Sequence, residues 1–152
     1  MKVYTMVNIN IFLYICKEFN LINTKNKDMK VKKIIYWAVT GLLSAMLIMS
    51  SGMYIFQNEM IQQLYIGFGY PTYLIYPLAV LKISAVIVLL TQKNSKIKEW
   101  AYAGLFFEFV LAFFAHIMVG DGEQIGAIMA IILLMVSYVY NKKINNLQLE
   151  SV

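Results

Sequence analysis

The chain has 152 residues, of which 61% are hydrophobic and 14% charged, with 13 lysines, no arginine and a net charge of +5. A water-soluble domain of this size is nearer half apolar and a quarter charged, so this chain has too little polar surface to face water on all sides, and its apolar excess is equally wrong for intrinsic disorder. These numbers leave one small polytopic membrane domain, without room for a large catalytic domain outside the bilayer.

Residues 1–29 differ from the rest. The apolar stretch Val3 to Cys16 is too short to span a bilayer and is broken by Asn8 and Asn10, and Lys17 to Asp28 is polar. No small-residue cleavage site follows it, as a signal peptide would need. Met29-Lys30-Val31-Lys32-Lys33 directly precedes the first long apolar run, so residues 1–29 read as an N-terminal extension, either an over-extended gene start or a dispensable appendage. Cys16 is the single cysteine, which excludes an intrachain disulfide or a multi-thiolate metal cluster and leaves a free thiol.

Four apolar runs follow, at about residues 34–56, 72–91, 100–119 and 125–140. Each is apolar all round rather than on one stripe, and each is far longer than a strand, so the expected fold is all-α. The last is near the lower length limit and is completed by Gln124 and Asn141. Four spans joined by short loops predict an up-and-down four-helix membrane bundle over residues 30–143, with 144–152 as a cytoplasmic tail. Between the first two spans, Met60, Ile61, Leu64, Tyr65 and Phe68 recur at helical spacing and predict a short amphipathic helix. Gly67, Gly69 and Pro71 then turn the chain, and Pro77 is expected to kink the second span.

Lysine fixes the expected orientation. Lys30, Lys32 and Lys33 precede the first span, Lys93, Lys96 and Lys98 separate the second and third, and Lys142 and Lys143 follow the fourth, whereas the other two connections carry only Glu59, Asp121 and Glu123. Positive loops are retained in the cytoplasm, so both termini are expected there. The lysines are not gathered into one stripe interleaved with aromatics, which argues against nucleic acid as a partner. Tyr36, Trp37, Trp100, Tyr102, Tyr138 and Tyr140 are expected as anchors at the inner interface, and Tyr54, Tyr65, Tyr70 and Tyr73 at the outer one, while Phe106, Phe107, Phe113 and Phe114 are expected to fill core.

Lys82 and Glu108 interrupt two of the spans. An ionisable group at mid-bilayer costs about 2.5–3.5 kcal/mol on insertion scales and needs a reason. Counted from the turn the two helices share, they lie at nearly equal depth, roughly 15 Å and 13 Å at 1.5 Å per residue, so antiparallel neighbours should bring them level as a pair. That pair either fixes helix register or forms a proton- or ligand-responsive site. Ala101, Gly104, Glu108, Ala112 and Ala115 recur at spacings of three and four and predict a close helix contact, with His116 near the same face. Lys82, Glu108 and His116 are therefore the candidate intramembrane polar site. Asp121 and Glu123 are candidates in the outer loop, Asp121 reading chiefly as the N-cap of the fourth helix. A lone histidine excludes bis-histidine haem within one chain, and no metal site is expected.

The runs Tyr36-Trp37 with Thr40-Gly41-Leu42-Leu43-Ser44, Gly69-Tyr70-Pro71-Thr72-Tyr73 with Leu81-Lys82-Ile83, Lys98-Glu99-Trp100-Ala101-Tyr102-Ala103-Gly104, and Ala115-His116 with Gly120-Asp121-Gly122 resemble the DoxX-like family of small bacterial membrane proteins over about residues 30–143. That resemblance implies four transmembrane helices in a bacterial inner membrane. It also implies a quinone-associated redox role, since the wider superfamily includes a membrane subunit of a thiosulfate:quinone oxidoreductase and members linked to oxidative-stress complexes. Three functions follow as expectations: a membrane subunit of a quinone-linked redox or oxidative-stress assembly, a structural scaffold without chemistry, or a small proton-coupled transporter. No catalysis by this chain alone is expected. Quinone is the one cofactor considered, and the partners expected besides lipid are membrane or redox proteins and further copies of the chain.

Overall fold

The computed structural model describes the backbone of residues 2–92 and 94–149, with side chains at 17, 27–92 and 94–147. The Cys16 side chain, Lys93 and residues 150–152 of the expected tail lie outside this description. The described chain is all-helical: α1 (Lys2–Phe56), α2 (Asn58–Gly67), a single 3-10 turn (Thr72–Leu74), α3 (Ile75–Thr91), α4 (Ser95–Val119) and α5 (Gln124–Leu149). Four stretches, Lys27–Phe56, Thr72–Thr91, Ser95–Val119 and Gln124–Leu147, are long and apolar enough to cross a bilayer. Together they form a four-helix membrane bundle in which α1 packs on α3 and α5, α4 packs on α5, and α3 with α4 is the loosest neighbouring pair.

The interior is built from stripes spaced alternately three and four residues apart, the pattern that lets nearly parallel helices interdigitate. On α3 the buried set includes Ile75, Ala79, Lys82, Val86 and Leu89; on α5 it is Ala127, Ala130, Leu134, Ser137, Asn141 and Ile144. Lys82 thus occupies a core position of its helix. The α5 stripe continues beyond Tyr140 through Asn141 and Ile144, which is why the last helix is longer than the apolar run alone predicts. Leu43, Leu47, Val86, Leu89, Leu105 and Leu134 meet at the centre of the bundle. The first helix is likewise longer than expected, continuing without a break across Met29.

The connection after α1 matches the amphipathic expectation. Ile61 and Tyr65 of α2 are buried against Ile75, and the helix ends in a Schellman motif: Gly69 at φ 74° lets Tyr70 N donate to Tyr65 O at 2.8 Å and Gly69 N to Ile66 O at 3.0 Å. Pro77 is the third residue of α3, directly after the 3-10 turn Thr72–Leu74 that opens the span.

Three further expectations are corrected. Gly104 is exposed with open space around it, so it does not mark a close helix contact; Tyr102, Leu105, Phe109 and Ala115 form the buried stripe of α4. Phe106, Phe107 and Phe114 face outward, and Phe109 is the buried ring. Trp37 and Trp100, 52% and 82% exposed, lie on the lipid-facing surface as anchors do, but Tyr36 and Tyr102 are each 4% exposed, because each buries its ring and finds a hydrogen-bond partner inside the bundle.

Candidate functional site

Lys82 and Glu108 meet across the loose α3–α4 seam, with Lys82 Nζ 3.1 Å from Glu108 Oε1. The ammonium also donates to Ser50 Oγ at 2.9 Å and stands 4.0 Å from the centre of the Tyr54 ring. Carboxylate, hydroxyl and π-face together replace the water that a buried ammonium gives up. Behind this cage, Tyr65 Oη donates to Tyr54 Oη at 3.1 Å, and the two rings meet edge to face. Burial, then the bond to Tyr54, holds the Tyr65 phenol above the ordinary tyrosine range. Helices α1, α2, α3 and α4 all contribute to this one cluster. Ser50 is not among the residues the sequence analysis singles out, and Tyr54 is read there only as an outer-interface anchor, although their i, i+4 spacing on one face of α1 is a signal that links them.

His116 does not join that pair. It lies eight residues beyond Glu108 on α4, about 12 Å along the axis at 1.5 Å per residue. Its Nδ1 is 2.8 Å from Asp121 Oδ2, and its ring meets the Phe68 ring edge-on at 5.1 Å. Asp121 uses its other oxygen to accept from Glu123 N at 2.9 Å. Asp121 therefore stabilises the turn into α5 from three residues before the helix starts at Gln124, rather than sitting at the N-cap position itself. Hydrogen bonding to His116 and then to the Glu123 backbone holds the Asp121 carboxyl below the ordinary aspartate value. Gly120, at φ 72°, closes α4 and makes this reversal possible. The Glu123 side chain is exposed.

A second polar cluster lies towards the lysine-bearing end. Ser137 Oγ is 2.7 Å from both Thr40 Oγ1 and Tyr102 Oη, tying α1, α4 and α5 together. Tyr36 Oη donates to Leu89 O at 3.2 Å and accepts from Lys98 Nζ at 3.0 Å. Lys142 Nζ is 2.7 Å from Glu99 Oε1, which links α4 and α5 at the same end. Beside that ion pair, a groove of about 330 Å³ runs between α4 and α5, walled by Tyr102, Ala103, Phe106 and Phe107 on one side and by Leu134, Met135 and Tyr138 on the other, with Glu99 at its mouth. These aromatics stand four apart on α4 (Tyr102, Phe106) and opposite an i, i+4 pair on α5 (Leu134, Tyr138), so the facing pairs were present in the sequence although the groove was not predicted.

The geometry defines an integral membrane four-helix bundle with a buried ion pair at its core and a lipid-facing aromatic groove. A model of the DoxX-like family matches residues 38–139, well over half of the chain, and the protein belongs to that family. The matched segment holds Lys82, Glu108, His116, Asp121 and the walls of the groove, and stops short of Lys142. No curated protein and no solved structure matched the chain.

Proposed function

We propose that this DoxX-like protein is the membrane subunit of a quinone-linked redox assembly in a bacterial inner membrane, with both termini on the cytoplasmic side, and that the α4–α5 groove receives the quinone head group. The groove is the observation that carries this reading. A quinone ring is flat and apolar on both faces and presents two carbonyl acceptors, so it needs aromatic or aliphatic walls and a donor at the rim. The groove's volume of about 330 Å³ is at the scale of small-molecule pockets, its walls are largely aromatic, and the Lys142 ammonium, engaged with Glu99, stands 5.7 Å from the Tyr138 ring at its edge. When bound, a quinone accepts two electrons and two protons. The chain's own residues hold the ring between Phe106 and Tyr138 and keep water from its apolar faces, while a partner protein supplies the electrons. The clustering of Lys98, Lys142 and Lys143 with Glu99 at one end of the bundle supports that end as the cytoplasmic face.

A scaffold without chemistry is the second reading, favoured by the Lys82 ammonium, whose partners are all supplied within one chain. Purification from native membrane in mild detergent, followed by solvent extraction, decides between the two. Quinone should copurify with the wild-type protein and be lost from Ala103→Trp, which fills the groove from a small wall residue that is itself a member of neither polar cluster. Intact wild-type protein with its other membrane lipids retained but no quinone leaves the scaffold.

A further inference from the structure

The partners of the buried ion pair are unequally shared. The Lys82 side chain is 6% exposed and has three: Glu108 Oε1, Ser50 Oγ and the face of Tyr54. Glu108 is 17% exposed and has Lys82 as its one hydrogen-bonding partner among the described residues. It lies on the flank of α4 turned towards α3, between the half-buried Ala101 and Ala112 and the exposed Gly104 and Leu111. One turn below it, a Cβ added at Gly104 would meet nothing within 4 Å. The α3–α4 seam is also the loosest contact between neighbouring helices of the bundle. Gly104, exposed and without a side chain, thus leaves a notch of open space one turn from Glu108 on the lipid side.

We propose that the Glu108 carboxyl is a reversible proton-binding site, reached from the lipid side through the notch at Gly104, with Lys82 fixed behind it. Uptake converts the carboxylate to the carboxylic acid, and the proton comes from water at the membrane surface. Lys82 keeps Ser50 and the Tyr54 ring when this happens, so the ammonium is not left without partners, and the neutral carboxyl is free to turn into the notch. The charged and titratable groups facing the site are Lys82 from α3 and Tyr54 from α1, with Tyr65 of α2 behind Tyr54. Within a turn of Glu108, α4 has no other ionisable residue, and those of α5, from Tyr138 onward, lie beside Tyr102 towards the lysine-bearing end. This inference is independent of quinone binding.

Dicyclohexylcarbodiimide, a lipid-soluble reagent that modifies protonated carboxyls in apolar surroundings, tests it on the full chain in phospholipid vesicles, with the modified residue located by peptide mass spectrometry. Glu108 should be labelled while the exposed Asp121 and Glu123 are not. Its labelling rate should fall about tenfold per pH unit once the carboxyl is ionised. Gly104→Leu, which fills the notch on an exposed face, should lower the rate at every pH without changing the unfolding temperature in detergent. Folded wild-type protein that is unlabelled at Glu108 at all pH values, labelling that is flat with pH, or an unchanged rate in Gly104→Leu would each overturn the proposal.

Discussion

The Lys82 ammonium lies 3.1 Å from the Glu108 carboxylate, joining α3 to α4 deep in the bundle on the far side of the turn at Asn94. The same ammonium reaches Ser50 of α1, so a single side chain ties three of the four spanning helices. Removing Lys82 takes from the Glu108 carboxyl its one partner in a medium that solvates charge poorly, whereas removing both leaves two apolar groups that can pack.

Lys82→Met should therefore destabilise the protein by roughly 3–5 kcal/mol, and Lys82→Met with Glu108→Leu should restore much of that loss. Unfolding in mixed detergent micelles measures both. A single variant as stable as wild type would show that the pair carries no weight in the fold.

Ser137 is shared by the buried hydroxyls of Thr40 and Tyr102. Ser137→Ala should cost about 1–3 kcal/mol, because both hydroxyls lose their partner in the interior. Ser84→Ala, whose exposed hydroxyl bonds only to Val80 O one turn back, should stay within about 0.5 kcal/mol of wild type in the same assay.

The two glycines that flank Phe68 should separate cleanly. Gly69 has a φ of 74°, and Gly67 is not among the glycines with positive φ. Gly69→Ala should destabilise the turn by roughly 1–2 kcal/mol. Gly67→Ala, at the last helical residue of α2, should be neutral or stabilise by up to about 1 kcal/mol.

At the opposite end from the lysines, the Asp121 carboxyl is held below the ordinary aspartate value of 3.8, first by His116 and then by the Glu123 backbone. A depressed carboxylate contributes its stabilisation fully above the unfolded value and loses it as pH falls through the lower folded value. The turn between α4 and α5 should thus keep this contribution at neutral pH and lose it only below about 3.8. Carbon NMR titration of Asp121 in His116→Gln should show its midpoint rising towards the ordinary value. An unmoved midpoint would remove His116 as the principal cause.

Much of the architecture follows from local physics that a single sequence displays. Apolar length predicts the four spans, and the equal depth of Lys82 and Glu108 places them level. The glycines at 67 and 69 with Pro71 mark the turn after α2. The fourth helix was underestimated because hydropathy falls after Tyr140 while the three-four periodicity continues through Asn141 and Ile144. Phe106 and Phe107 were expected inside because they are large and apolar, but in lipid apolar size no longer separates interior from exterior, so hydrophobicity alone cannot say which face of a spanning helix turns inward.

The amino-acid order by itself determined a membrane bundle, its loops and the depth of its charges, because each depends on residues close together along the chain. Only the tertiary fold decided that Ser50 and Tyr54 would cage Lys82, that His116 would turn to Asp121 rather than to Glu108, and that Tyr102 and Phe106 of α4 would line a groove with Tyr138 of α5. Those relationships depend on how helices distant in sequence rotate against one another, and that rotation is set by packing across the whole bundle.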